Sequence, residues 1–383
     1  MSNISELLQS PFREMYENFV VAKGEMPDFF NSKHWEVFPE NYEKTILSTD
    51  SWENFLRNSI SIGFNDELLA LGNKRWLNSE NGNEIDVWEM RRKHDHRVLK
   101  EVIESQDDLI KSLNQTCAVC SVIFVLENLA SNTGAPLVAN ISLGWDENSF
   151  NEVTKKMETK RRERTIDCNS FDLGTIYYFW QISRLMDEII HIKNPLVADI
   201  GPGYGLLMAK MKKKFPSCRC ILFDLPAMSA VQSYYLSTEF PDAKILYYTD
   251  ILESGNSIFE TDFDFLILPG WMIEKIPDQL VDVYINMRSM MEMNQDTIKY
   301  YFDNIHRSIK SGGIFACFNR YRKDTSGQPS MIKSYPYDEY WSILLSQTSV
   351  FQNHIHDLIL YREKHKTKIP VSTALRSLNP FVF

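Results

Sequence analysis

The sequence predicts an α/β protein with a doubly wound, mostly parallel sheet in its second half, preceded by a mainly helical N-terminal domain. Three observations carry that reading. After Pro195, short apolar strands alternate with amphipathic helices, an order that implies a parallel sheet with helices on both faces. The first of those strands runs into "ADIGPGYG" (198–205), where Gly201, Gly203 and Gly205 stand at every second position. Near the end, "WSILLSQTS" and "HDLILYRE" are joined by a link too short for a crossover helix, so they form an antiparallel pair.

The elements follow in order. Residues 1–171 read as the helical domain, with "DSWENFLRNSI" placing Trp52, Phe55, Leu56 and Ile60 on one face. "NSFNEVTKKMETKRRERT" reads as a solvated, charged helix near the domain junction. Residues 172–383 form the second domain, opening on the apolar helix "LGTIYYFWQISRLMDEIIHI". "PLVADI" is the first strand, and 205–215 a helix with Leu207, Met211 and Phe215 on one side and Lys212–Lys214 in its last turn, where the dipole favours cations. "CRCILFD" is the second strand. "DFDFLIL" is preferred over "AKILYY" as the third, because a strand, loop, strand rhythm follows it. "VDVYINM" is the fourth. Ile298, Tyr301, Phe302, Ile305 and Ile309 mark a helix stopped by glycines, and "GIFACFN" is the fifth strand.

Composition narrows the function classes. A chain of 383 residues, 44% hydrophobic, can bury a sizeable core. Its formal charge of -10 gives no general attraction for phosphate backbones or anionic lipid, so nucleic acid is a poor partner. No signal peptide is read at the start, and the longest apolar stretch, "CAVCSVIFVL", is half of what a spanning helix needs. A cytoplasmic location without membrane insertion is expected. Six cysteines in this length suit a reducing compartment. Cys117 and Cys120 lie inside an apolar run and Cys218 and Cys220 lack C-x-x-C spacing, so both pairs read as core residues rather than zinc ligands. No metal is expected, at these cysteines or at His354, His356 and Asp357, where magnesium would want carboxylate oxygens.

In a doubly wound sheet the ligand lies beyond the carboxyl ends of the strands, at the point where strand order reverses. The glycine loop is at such an end, and glycines let a backbone turn tightly and approach closely. The dinucleotide fingerprint G-x-G-x-x-G fails, because its third glycine falls on Leu206. Asp199 before the loop suits a cationic or hydroxyl-rich ligand. Asp224, about twenty residues on at the tip of the second strand, can accept two hydrogen bonds from ribose hydroxyls. A nucleoside without a required pyrophosphate, carrying a cation and an amino-acid end, meets this description. S-adenosyl-L-methionine (SAM) is such a molecule.

The second half resembles the Rossmann-like SAM-dependent methyltransferases and, more narrowly, the bacterial sugar O-methyltransferase family. The likeness rests on "ADIGPGYG", "FDLPAMSAVQSYYLSTEFPDAKI", "FLILPGWMIEKIP", "VDVYINMRSMMEM", "TIKYYFDNI", "GIFACFNRY" and "YPYDEYW", and more thinly on "HWEVFPENY" and "NTGAPLVAN". It departs at Met287-Arg288, which bears on the substrate. The resemblance implies a seven-stranded sheet with a final antiparallel strand. It places Asp199, Gly201, Gly203 and Gly205 around the methionine part, Asp224 and Leu225 at the ribose and adenine edge, and Pro269–Met272 beside the adenine. Trp271 either flanks the adenine with Met272 or plugs strand against helix. The implied acceptor is a sugar hydroxyl of a glycan precursor or glycosylated small molecule.

Methyl transfer from a sulfonium needs an aligned oxygen, exclusion of water and removal of the hydroxyl proton. Near the end of the fourth strand only Glu292 is a base, its alternative role being a first-turn acid or a partner of Arg288; Asn286 and Ser289 could touch the acceptor. Asn319 and Arg320 end the fifth strand on the ligand side and could hold substrate hydroxyls. His306 reads as a packing residue. The helical half is expected to cover the acceptor or mediate a homo-oligomer. The other readings are a methyltransferase acting at O or N of another small molecule, and an interaction protein on the same fold without catalysis.

Overall fold

The computed structural model of the chain describes residues 10–30, 42–51, 139–168, 170–187, 194–324, 328–349 and 354–378. The helix expected around Trp52 and the pair Cys117/Cys120 lie outside them. The chain divides into two compact units, one of residues 1–77 with 183–383 and one of residues 78–182. The first unit thus joins both ends of the chain, unlike a single cut between 171 and 172.

The unit of residues 78–182 contains an antiparallel hairpin of β1 (Ala139–Asn151) and β2 (Lys156–Cys168). The charged segment expected as a helix is therefore mostly strand. The connection is made by Asn151, whose Oδ1 accepts from the backbone N–H groups of Val153 at 2.9 Å and Thr154 at 3.0 Å. Its Nδ2 donates to Glu158 Oε1 across the turn at 2.6 Å, and Lys155 takes φ 52° to complete the reversal. Such local side-chain bonds are the competing option that Asn offers the backbone.

The sheet unit is built on β3 (Leu196–Ile200), β4 (Arg219–Asp224), β5 (Ile245–Leu246), β6 (Phe265–Pro269), β7 (Val281–Met287), β8 (Ile309–Arg320), β9 (Trp341–Thr348) and β10 (Ile355–Arg362). Their order is β5-β6-β4-β3-β7-β8-β10-β9. The strands from β5 to β8 are parallel, and β10 runs antiparallel to both β8 and β9. Strands β3 and β6 are buried along their whole length, as expected for parallel strands covered on both faces. The sheet has eight strands rather than seven because "AKILYY", passed over as a core strand, supplies the two-residue edge strand β5.

The chain steps from β3 through β4 to β6 on one side and returns to β7 on the other. Strand order therefore reverses at β3, beneath the glycine loop. Helices α2 (Tyr42–Ser48) and α3 (Ser170–Leu185) precede β3 in the chain, α4 (Leu206–Lys214) follows that loop, α5 (Pro226–Glu239) follows β4, α6 (Tyr248–Ser254) follows β5 and α7 (Gln295–Ser308) follows β7. In α7 Ile298, Tyr301, Phe302 and Ile305 form the buried stripe, but the helix ends at Ser308 and Ile309 begins β8. Gly312 and Gly313 lie inside that strand rather than stopping the helix. A Cβ on Gly313 would stand 2.8 Å from the Asp282 carbonyl, in the stretch where β7 and β8 shift register.

The segment 10–30 packs on the sheet unit as α1 (Pro11–Tyr16) and three short 3₁₀ turns. Phe12 and Phe19 are fully buried, meeting Tyr234 of α5 and Tyr247 edge-on. Glu25 accepts a hydrogen bond from the Tyr248 hydroxyl. The Phe29 carbonyl accepts from Asn294 Nδ2 at 2.6 Å and Thr297 Oγ1 at 2.5 Å, which ties the segment to the start of α7.

Candidate active site

The glycine loop turns because all three glycines take positive φ, 67° at Gly201, 60° at Gly203 and 95° at Gly205, a region that costs other residues a Cβ clash. Gly201 has a second reason. A Cβ there would lie 2.3 Å from Ser289 Oγ, so the close neighbour is the loop after β7. We expect Gly201→Ala to displace Ser289 and weaken binding of S-adenosylhomocysteine at least tenfold by calorimetry. Unchanged affinity would show that the loop tolerates the shift.

Two acids stand at this end of the sheet. Asp199 in β3 is 1% exposed, and neither carboxylate oxygen has a hydrogen-bond partner among the described residues. Burial first, and then the charge of Asp224, push its carboxyl well above the usual range. An unpaired buried carboxylate is costly, so the position calls for a cation or a donor. Asp224 ends β4. Its Oδ1 accepts from Leu225 N at 2.8 Å and its Oδ2 from Gln232 Nε2 at 2.9 Å. Burial raises its carboxyl to about 7 against the pull of these bonds, and the charge of Glu292 adds to the rise. The Gly203 backbone N–H also bonds to it, so of the about four hydrogen bonds a carboxylate accepts, about one is left for a ligand. Gln232 Nε2 also donates to the Gly203 carbonyl at 2.7 Å, locking the loop to the acid. Sequence reasoning missed Gln232, one helical turn and more beyond Asp224.

Leu225 caps α5 next to Asp224. Trp271 and Met272 lie in the 3₁₀ turn Gly270–Lys275 after β6, each 6% exposed. The Trp271 indole Nε1 is buried with no partner among the described residues, while its carbonyl accepts from the Tyr300 hydroxyl at 2.6 Å.

The acceptor-side residues divide. Asn286 is fully buried and its amide is spent internally. Its Nδ2 donates to the Ile200 carbonyl at 2.8 Å and Ser289 Oγ at 2.5 Å. Its Oδ1 accepts from Met290 N at 3.1 Å and Asn319 Nδ2 at 2.9 Å. Two donors and two lone pairs are thus all used, and Asn286 acts as a joint between β3, β8 and the loop after β7 rather than as an acceptor contact. Asn319 is the other half of that joint, with its Oδ1 on Met291 N at 3.1 Å and its Nδ2 also on Cys317 Sγ at 3.2 Å. Ser289 Oγ donates to the Ile200 carbonyl at 2.8 Å. Arg320 ends β8 opposite Ile355, half-buried.

Glu292 is 9% exposed in the 3₁₀ turn Met290–Glu292, and its Oε1 pairs with Lys323 Nζ at 2.9 Å. That lysine is 31 positions away and itself 4% exposed. One oxygen of the Glu292 carboxylate is thus committed to the lysine.

His306 packs against Phe302 and Trp341 at the far end of α7, and burial lowers its imidazole to about 4. His356 lies between Ser346 Oγ at 3.0 Å and the Tyr321 hydroxyl at 3.1 Å, while Asp357, next along β10, faces the opposite way. Among the described residues no group of three His, Cys, Asp or Glu side chains could hold a metal, and no helix is long and apolar enough to cross a membrane.

A parallel sheet reversing at β3, a glycine turn at that reversal and acids on two adjacent strand ends define a Rossmann-like methyltransferase fold whose cofactor is SAM. Residues 185–330 match the family described as an O-methyltransferase domain. Among solved structures, the mitomycin 7-O-methyltransferase MmcR is 16% identical, over 50% of this chain and 54% of that one, with a TM-score of 0.36. The pyocyanin biosynthetic protein PhzM is 11% identical, over 50% of this chain and 56% of that one, with a TM-score of 0.35. The chain spans about half the length of these two proteins. No curated protein matches it in sequence.

The residues fit the cofactor. Asp199 offers buried oxygens to a cationic end, and Asp224 keeps acceptor capacity for a ribose hydroxyl.

Proposed function

We propose that the chain is a SAM-dependent O-methyltransferase acting on a small molecule, with a sugar hydroxyl of a glycan precursor or glycosylated compound as acceptor. The observation that carries the reading is the pair of acids at the reversal point: Asp199, buried without a partner, beside Asp224, half-committed to Leu225 and Gln232. SAM supplies a methyl group already activated on a sulfonium. The protein's work is then to hold the nucleoside, exclude water and orient the acceptor oxygen. Asp199 and the turn Gly201–Gly205 hold the amino-acid end, and Asp224, Leu225, Trp271 and Met272 the nucleoside end. Glu292 is the acceptor-side carboxylate, and Ser289 and Arg320 border the same strand ends.

The Glu292–Lys323 pair favours a second reading of the acceptor. With one oxygen taken by the buried lysine, the carboxylate has its other oxygen to orient a hydroxyl, which is enough for an acceptor that loses its proton readily. That suits a phenol-like hydroxyl better than a sugar hydroxyl. The test is methyl transfer from labelled SAM to a panel of nucleotide sugars, glycosides and phenols, after calorimetry with S-adenosylhomocysteine. Turnover of a sugar supports the first acceptor class and turnover of phenols alone the second. Binding without turnover of any acceptor would favour an interaction protein on a methyltransferase fold.

A further inference from the structure

Gly270, directly after β6, has no room for a side chain. A Cβ there would stand 2.3 Å from the Tyr301 hydroxyl and 3.0 Å from Phe30 Cε1. The Tyr301 hydroxyl, from α7, therefore rests against the backbone just past Pro269, and Pro269 is the register partner of Asp224. It stands where the tips of β4 and β6 meet. The hydroxyl makes no hydrogen bond among the described residues, and the charge of Asp224 acts on it, adding to burial in holding the phenol well above its usual range. Beside it, the Trp271 indole N–H is buried and equally without a partner. Phe30 closes this corner from outside, edge-on to Trp271 at 5.7 Å and to Tyr301 at 5.6 Å. Phe30 is itself fixed by the two hydrogen bonds to the preceding carbonyl, from Asn294 and Thr297. Two unpartnered donors next to a half-committed carboxylate, roofed by an aromatic ring, form a site for a molecule with acceptors and hydroxyls on a flat apolar body.

We propose that Tyr301 is a positioning residue for the nucleoside end of the cofactor, its hydroxyl bonding to the ribose or adenine, and that Phe30 on the segment 10–30 is the closure of that subsite. The proposal rests on the SAM reading above. Tyr301 enters through its hydroxyl, so Tyr301→Phe keeps its packing, whereas Phe30→Leu removes the ring and its edge-on contacts with Trp271 and Tyr301.

The test is calorimetric titration of the full chain and of the variants Tyr301→Phe and Phe30→Leu with S-adenosylhomocysteine and, separately, with adenosine. Thermal melting serves as the control for folding. Tyr301→Phe is expected to melt like the parent and to lose about fivefold in affinity for both probes, because a neutral hydrogen bond to the shared nucleoside is removed. Phe30→Leu is expected to weaken both probes to a similar degree. Affinity for both probes within twofold of the parent in Tyr301→Phe overturns the proposal while leaving the cofactor reading intact. So does a loss confined to S-adenosylhomocysteine, since the hydroxyl would then act at the other end. Failure of the parent to bind either probe overturns the cofactor reading and the proposal together.

Discussion

Lys323→Met is expected to destabilise the protein by about 3–5 kcal/mol, because it leaves Glu292 as a buried carboxylate without its cation. The two charges are 4% and 9% exposed and 2.9 Å apart, so water replaces neither partner when the other is lost. Glu292→Gln is expected to act in the same direction by stranding the lysine. Replacing both, as Glu292→Leu with Lys323→Met, should recover most of the loss, since buried pairs exchanged for apolar residues are often neutral. Urea unfolding of the three variants reads this directly. If Lys323→Met costs under about 1 kcal/mol, the pair is no more than a surface bridge. The lysine has a further task. Its backbone forms a two-way bridge with Ser330, N–H to carbonyl at 2.8 Å each way, so the ion pair also pins the start of the loop after β8 against the turn carrying Glu292. A fall in turnover in Glu292→Gln must therefore be judged against its stability before the carboxylate is assigned to proton transfer.

Asp224→Ala is expected to weaken S-adenosylhomocysteine at least tenfold, because losing charge-assisted hydrogen bonds costs about 1.5–3 kcal/mol. The same acid should make binding depend on pH. Its carboxyl is raised from 3.8 to about 7 in the folded chain, so near neutrality it is partly protonated, whereas a ribose hydroxyl donating to it needs the ionised form. Affinity should thus rise by about tenfold in all from pH 6 to 8, then level off. Binding at pH 7 should release protons, which shows as a dependence of the calorimetric heat on buffer ionisation. For stability the sign is opposite. Between 3.8 and about 7 the unfolded chain has lost a proton that the folded chain keeps, so this group's contribution falls as pH rises through that window. Asp224→Asn should flatten both profiles. A pH-independent affinity in the parent would remove Asp224 from the ribose position.

The sheet was legible because its strands are short apolar runs closed by turn residues, and β3, β4, β6, β7, β8, β9 and β10 stand where those runs do. The acids at the strand ends were legible for a related reason: Asp199 and Asp224 interrupt apolar runs at the one place where a polar group has use. What the chain hides is pairing across distance. Nothing local to Glu292 points to Lys323, since a loop after β8 has to fold back before the two meet. Asn286 and Asn319 look like acceptor contacts in a linear reading, and only their mutual hydrogen bond and three backbone partners reveal a structural joint. Tyr301 is concealed in the opposite way. It belongs to the apolar stripe of α7, where a helical period reads an aromatic as core, and its hydroxyl gains meaning only against Gly270. In the hairpin, β1 does alternate Ala139, Ile141, Leu143 and Trp145 with other residues, but β2 is nearly all polar and charged, so neither helix nor strand stands out from 156 to 164.

The docking of the segment 10–30 sets an order of events during synthesis. Phe29 meets Thr297 across 268 residues, and Glu25 meets Tyr248 across 223. At roughly 5–20 residues per second on the ribosome, the segment waits roughly ten seconds to a minute for its partners to emerge. Through that interval Phe12, Phe19 and Phe30 have no apolar surface of α5 or α7 to cover them. The nucleoside corner is completed only when this segment settles on the helices made after it. Contacts across so many residues form slowly, so seating Phe30 is expected among the late steps of folding. A newly made chain that has formed its sheet but not yet seated Phe30 would be a partly finished binder, held in check by a segment already waiting on it.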